Sequence, residues 1–107
     1  MVPCFNEEET LPLVINSIPK KIEGIETLET LIVDDGSSDR TVQVAKQLGV
    51  THIIRHNSNK GLARAFETGL RECLRAGADI IVNTDGDNQY PQQEIPLLIE
   101  PILKGEA

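Results

Sequence analysis

Apolar positions along this chain follow two patterns in alternation. Leu31-Ile32-Val33 and Ile80-Ile81-Val82 are short unbroken apolar runs of the kind that form strands buried on both faces. His52-Ile53-Ile54-Arg55 is a shorter run of the same type, and Met1-Val2-Pro3 is only the stub of one. Between these runs the apolar residues fall at helical spacing. Leu11, Val14, Ile15 and Ile18 occupy i, i+3, i+4 and i+7, with Thr10 placed to cap, Pro12 in the first turn and Pro19 at the end. A second helix is predicted from a cap at Ser38 or Asp39 to about Leu48, with Gly49 as its stop. A third puts Leu62, Phe66, Gly69, Leu70, Cys73 and Leu74 on one face and closes at Gly77.

The strand between these helices is expected over Thr30 to Val33, and a fourth strand from about Asp79 to Asn83. After Pro91 a last helix carries Ile95, Leu98, Ile99, Ile102 and Leu103 inward, made irregular by Pro96 and Pro101. The order β-α-β-α-β-α-β-α predicts an α/β fold, a mostly parallel sheet of Rossmann-like type with helices on both faces. The first strand is too short for its place and the chain stops after the fourth unit. Residues 1–107 are therefore expected to be one portion of a larger domain, truncated at both ends. Apolar surface left uncovered, around Ile80, Ile81 and the face from Ile95 to Leu103, would favour a homo-oligomer.

Both long apolar runs end in acid. Asp34-Asp35-Gly36-Ser37 follows the first and Thr84-Asp85-Gly86-Asp87-Asn88-Gln89 the second. Parallel sheets bind ligands beyond the carboxyl ends of their strands, so these carboxylates are expected to share one rim. Asp85 and Asp87 project to the same side of an extended segment, about 6.6 to 7 Å apart. Such a pair suits a hard divalent cation and, through it, a phosphate, with Gln89 as a further neutral oxygen. Gly86 admits a ligand close to the backbone. The plain alternative is a solvated turn. An EF-hand fails, because Tyr90 stands where its sixth position needs Gly and Pro96 where its twelfth needs Glu. Ser38 and Asp39 are placed to cap the second helix, which leaves Asp34 and Asp35 free of a structural role. Asp35 is then suited to accept hydrogen bonds from a nucleobase.

Composition narrows the partners. The formal net charge is −7 and no basic cluster exceeds Lys20-Lys21, which argues against nucleic acid. One Tyr and two Phe give no base-stacking platform. Cys4 and Cys73 form neither a CxxC nor a disulfide framework and are expected as free thiols in a reducing cytoplasm, Cys73 in the core. No apolar stretch reaches the roughly 18 residues of a membrane span, and with no basic segment followed by an apolar run at the N-terminus no secretory leader is expected. His52 and His56 have neither metal-ligand spacing nor a neighbouring nucleophile and are expected to be structural. Asn59-Lys60-Gly61-Leu62-Ala63-Arg64 holds one glycine of a phosphate loop but no complete GxxxxGK[ST] or GxGxxG.

Taken in order, VPCFNEEETLPLVI, LIVDDGSSDRT, NSNKGLARAFETGL and GADIIVNTDGDNQYPQQEI resemble the nucleotide-sugar-binding half of a family 2 glycosyltransferase of GT-A fold. The last stretch is most similar to the dolichyl- and polyprenyl-phosphate sugar synthases. The resemblance implies that Pro3, Phe5 and Glu7 line the nucleotide pocket, Phe5 standing where the family often has Tyr. It implies that Val33 and Asp35 meet base and ribose, and that Asp85 and Gly86 flank ribose and diphosphate. Asp87, with Asp85 and Gln89, would hold Mg²⁺ or Mn²⁺. The implied donor is a UDP- or GDP-linked nucleotide sugar, transferred with inversion, and the implied acceptor of this branch is a lipid phosphate. The implied place of work is the cytoplasm, at the membrane surface. The general base that a hydroxyl acceptor requires would lie outside this chain. A non-catalytic nucleotide- or nucleotide-sugar-binding module is the other reading of the same residues. A receiver-like signalling domain is not supported, since the third strand ends in Arg55-His56 instead of Asp.

Overall fold

The structure is a computed structural model and describes residues 1–84. Strand β1 (Val2–Cys4) leads to helix α1 (Leu11–Ser17), then β2 (Leu31–Asp34), α2 (Thr41–Gln47), β3 (His52–Arg55) and α3 (Leu62–Arg75). The three strands lie in the order β1-β2-β3. Both pairings are parallel, with Val2 opposite Ile32 and Ile32 opposite Ile53. The predicted α/β order therefore holds over these elements.

Alternation along the strands sends successive side chains to opposite layers. Val2, Cys4 and Ile32 pack with Leu11, Val14, Ile15 and Ala45 on the face covered by α1 and α2. Leu31 and Val33 point the other way, onto Ala65 of α3. Helices thus cover both faces, and β2, in the middle, is buried along its whole length.

Helix ends follow the sequence in most places. Pro12 stands in the first turn of α1, and Ile18, the residue before Pro19, is extended with φ −70° and ψ 130°. Gly49 follows the Leu48 C-cap of α2 with φ +75°. The capping of α2 differs from expectation. Arg40 holds the N-cap position with no side-chain cap bond. Asp39 Oδ1, one residue earlier, accepts the Thr41 N–H at 2.9 Å, while Ser38 turns to Asn6.

Two elements depart further. The predicted inward stripe of α3 is largely outward: Leu62, Phe66, Leu70 and Leu74 are exposed, and the buried residues are Ala65 and Gly69. Close approach to the sheet is the reason. A Cβ built on Gly69 would stand 2.8 Å from Met1 Sδ and 3.1 Å from Val33 Cγ2. Small residues therefore take the inner face, with Cys73 half-buried beside them. The second departure is the predicted fourth strand. Residues 79–84 are not a regular strand, although Met1 donates its amino group to Val82 O at 2.6 Å and Thr84 N–H donates to Met1 O at 3.0 Å. Those two bonds, to the residue just before β1, follow the pattern of a parallel ladder on the side of β1 away from β2. The last helix predicted beyond Pro91 lies outside the described residues.

Candidate functional site

The carboxyl ends of β1 and β2 open into two loops that are tied together. Asn6 N–H donates to Ser37 Oγ at 2.8 Å, Glu7 N–H to Thr41 Oγ1 at 2.9 Å and Glu8 N–H to Asp39 Oδ2 at 3.3 Å. In return Asn6 Oδ1 accepts the Ser38 N–H at 2.9 Å. Asn6 is the one residue other than glycine with positive φ among the described residues, at 52°. Asn tolerates that region better than other L-residues, and its short amide can serve neighbouring backbone. Sequence reading passed over Asn6. Its signal is an Asn two residues after a strand, in a loop that must turn at once.

Asp34 and Asp35 both carry structural work, contrary to the expectation that Ser38 and Asp39 had relieved them of it. Asp34 is fully buried; its carboxylate accepts the Ser37 hydroxyl and the Ser37 N–H and lies 3.6 Å from Arg55 Nε. It closes the turn after β2. Asp35 is 4% exposed. Its N–H donates to Cys4 O at 2.8 Å, which sets it beside the loop from Pro3 to Glu7. Its Oδ1 meets His56 Nδ1 at 2.8 Å and accepts the Lys60 N–H at 2.9 Å, while Oδ2 accepts the Gly61 N–H at 2.9 Å. Burial by itself would raise the pKa of this carboxyl. The bonds from His56, Lys60 and Gly61 outweigh it and hold the pKa below the usual carboxylate range. The buried charge is thus fixed as an anion with its donors in place.

The other candidates fall around this rim in different ways. Pro3 is buried in β1, opposite Val33. Val33 is fully buried against α3, so it forms floor beneath the rim. Phe5 is 44% exposed and is the apolar side chain the rim offers outward. Glu7 is half-buried, and its Oε2 accepts the Thr10 hydroxyl at 2.6 Å. Asp85, Gly86, Asp87 and Gln89 lie outside the described residues. Among the described residues no three His, Cys, Asp or Glu side chains come together in a way that could hold a metal ion. His52, at the opposite end of β3, has Nε2 3.4 Å from Glu29 Oε1 on the surface. No helix of the described residues is long and apolar enough to cross a membrane.

A parallel α/β sheet covered on both faces takes its ligands beyond the carboxyl ends of its strands, where this pre-tied rim lies. Comparison with known proteins makes this particular. The model of glycosyl transferase family 2 matches residues 1–107, and the chain belongs to that family. The dolichol-phosphate mannosyltransferase of Pyrococcus furiosus is 36% identical over 108 residues, covering 98% of this chain and 30% of that protein. The UDP-N-acetylglucosamine–dolichyl-phosphate N-acetylglucosaminyltransferase of Methanococcus voltae is 32% identical over 120 residues, covering 96% and 46%. Among solved structures, the glucosyl-3-phosphoglycerate synthase of Mycobacterium tuberculosis, in complex with Mn²⁺, UDP and glucosyl-3-phosphoglycerate, superposes with a TM-score of 0.75. It is 29% identical, over 98% of this chain and 39% of that one. The chain spans less than half the length of each of these relatives.

Proposed function

We propose that residues 1–107 are the nucleotide-sugar-binding portion of an inverting, metal-dependent glycosyltransferase that moves a sugar from a UDP- or GDP-linked donor to a polyprenyl phosphate. The observation that carries this reading is the tied rim. Asp35 and the loop from Pro3 to Glu7 are joined at the carboxyl ends of β1 and β2, where such sheets take their ligands. Residues 82 and 84 bond to Met1 in parallel-ladder fashion, which supports a shared rim for Asp35, Asp85 and Asp87. Phe5, Pro3 and Glu7 would then border the base, with Val33 as floor and Asp35 accepting from base or ribose.

The donor set of Asp85, Asp87 and Gln89 fits a hard, oxygen-preferring cation such as Mg²⁺ or Mn²⁺. Bound there, the ion would supply Lewis-acid stabilisation of the charge that gathers on a departing nucleoside diphosphate. Relatives whose names specify dolichyl phosphate acceptors support a lipid phosphate for this chain. Such an acceptor has a second pKa near 6 and is already largely anionic at neutral pH, so its oxygen needs no general base. That oxygen would attack the anomeric carbon from the face opposite the diphosphate, forming one C–O bond as the other breaks. The work would take place at the cytoplasmic surface of a membrane.

Titration calorimetry with UDP and GDP, with and without EDTA, tests the reading. Diphosphate and carboxylates repel each other in a partly buried cleft, so affinity should fall sharply on chelation. Asp87→Asn should mimic chelation. Equal affinity with and without the metal would remove the role given to Asp85, Asp87 and Gln89.

A further inference from the structure

His56 is buried at the end of β3, 9% exposed, and both ring nitrogens are engaged. Nδ1 lies 2.8 Å from Asp35 Oδ1 and Nε2 lies 2.9 Å from Thr68 Oγ1 of α3. Its own N–H donates to Asp34 O at 2.8 Å, which continues the ladder one residue past β3. An ionised carboxylate only accepts, so Nδ1 carries the proton it shares with Asp35. The imidazole therefore bridges the end of β2 to α3, and the same Asp35 carboxylate collects the Lys60 and Gly61 N–H groups at the entrance to α3. Gly36 seats this loop from beneath, because a Cβ there would lie 2.5 Å from the Ser58 carbonyl carbon.

A carboxylate offers about four acceptor sites. Among the described residues two on Oδ1 are taken, by His56 and Lys60, and one on Oδ2, by Gly61. The remaining Oδ2 site has no partner among the described residues, and its direction is set by the three donors. We propose that His56 is a positioning residue for nucleoside recognition: it orients the Asp35 carboxylate so that Oδ2 accepts a ring N–H or ribose hydroxyl. The inference rests on the reading of Asp35 as a ligand contact. It assigns His56 no contact with the diphosphate.

The test uses two variants of similar bulk in the full chain. His56→Asn keeps an amide N–H near the place of Nδ1; His56→Gln reaches toward Thr68 and drops the bond to Asp35. Affinities are measured for whichever of uridine or guanosine the wild type binds more tightly, for its diphosphate, and for pyrophosphate with Mg²⁺. Thermal midpoints are recorded so that all comparisons are made on folded protein. Loss of a hydrogen bond to a charged group is worth roughly tenfold to a hundredfold in affinity. His56→Gln should lose about that for nucleoside and nucleoside diphosphate alike, His56→Asn should stay within about threefold of wild type, and pyrophosphate affinity should not move in either. Equal nucleoside affinity in the Asn and Gln variants, or a parallel loss for pyrophosphate, would overturn the positioning role while leaving the site standing. A wild type that binds neither nucleoside nor nucleoside diphosphate would overturn the site reading itself, and the role of His56 with it.

Discussion

Replacing Gly36 by Ala tests the rim more directly than any charge substitution, because two separate costs can be resolved at one position. Gly36 has φ +77°, a region that costs an L-residue roughly 1–2 kcal/mol. The added Cβ would also stand 2.5 Å from Ser58 C, 2.6 Å from Asn59 N and 3.0 Å from Ser58 Cα, all backbone. Carbon contacts relax at roughly 3.5–4.0 Å, so the loop must retreat by about 1 Å. Forced overpacking of that kind costs about 1–3 kcal/mol. Retreat also pulls the Lys60 and Gly61 N–H groups away from Asp35. The sum is roughly 2–5 kcal/mol. Gly49 is the control, for it has φ +75° and nothing within 4 Å of a built Cβ. Gly49→Ala should therefore show the conformational cost alone, roughly 1–2 kcal/mol. Urea unfolding of both variants, analysed with a common m-value, gives the difference. A clear excess at Gly36 measures the packing of the 57–61 loop on the turn after β2. Equal losses at the two glycines would refute the close approach on which the rim depends.

Acid should weaken the fold in a defined direction. Partial or full burial raises the carboxyls of Asp35 and Asp39, but their hydrogen bonds prevail and both end below the ordinary value. A depressed folded pKa means the unfolded chain binds more protons. Stability from these groups is therefore complete above about pH 4 and declines as pH falls through the folded values; urea midpoints on acidification should drop less in Asp39→Ala than in wild type, and parallel curves would count against the argument. Cys4 is buried, its Sγ 3.4 Å from Val2 O, and burial together with the charges of Glu7, Asp34 and Asp39 pushes its thiol pKa far up. A disulfide reagent at mildly alkaline pH should label the half-buried Cys73 in the native protein and reach Cys4 only on unfolding, since the thiolate is the reactive form; rapid labelling of both would contradict that burial.

Pattern along the chain determined a good deal of this protein. The runs at Leu31 and His52 and the stripe at Leu11 to Ile18 became β2, β3 and α1, because strand and helix periods and proline stops act locally. The order of elements carried the parallel sheet, and the four ordered motifs carried the family. Packing decided what no local rule contains. Leu62, Phe66, Leu70 and Leu74 are spaced as a core stripe, yet Ala65 and Gly69 face the sheet because α3 lies too close to Met1 and Val33 for larger side chains. Asp34 and Asp35 read as acids available to a ligand. Ser37 reaches Asp34 from the turn three residues on, but only the fold brings Arg55, His56, Lys60 and Gly61 to the pair, from a third strand and a later helix entrance. The partners of Asn6 and His56 were hidden for the same reason. A hydrogen bond between residues more than twenty positions apart leaves no mark on the periodicity of either segment, so its partners emerge only when the sheet sets the strand ends side by side.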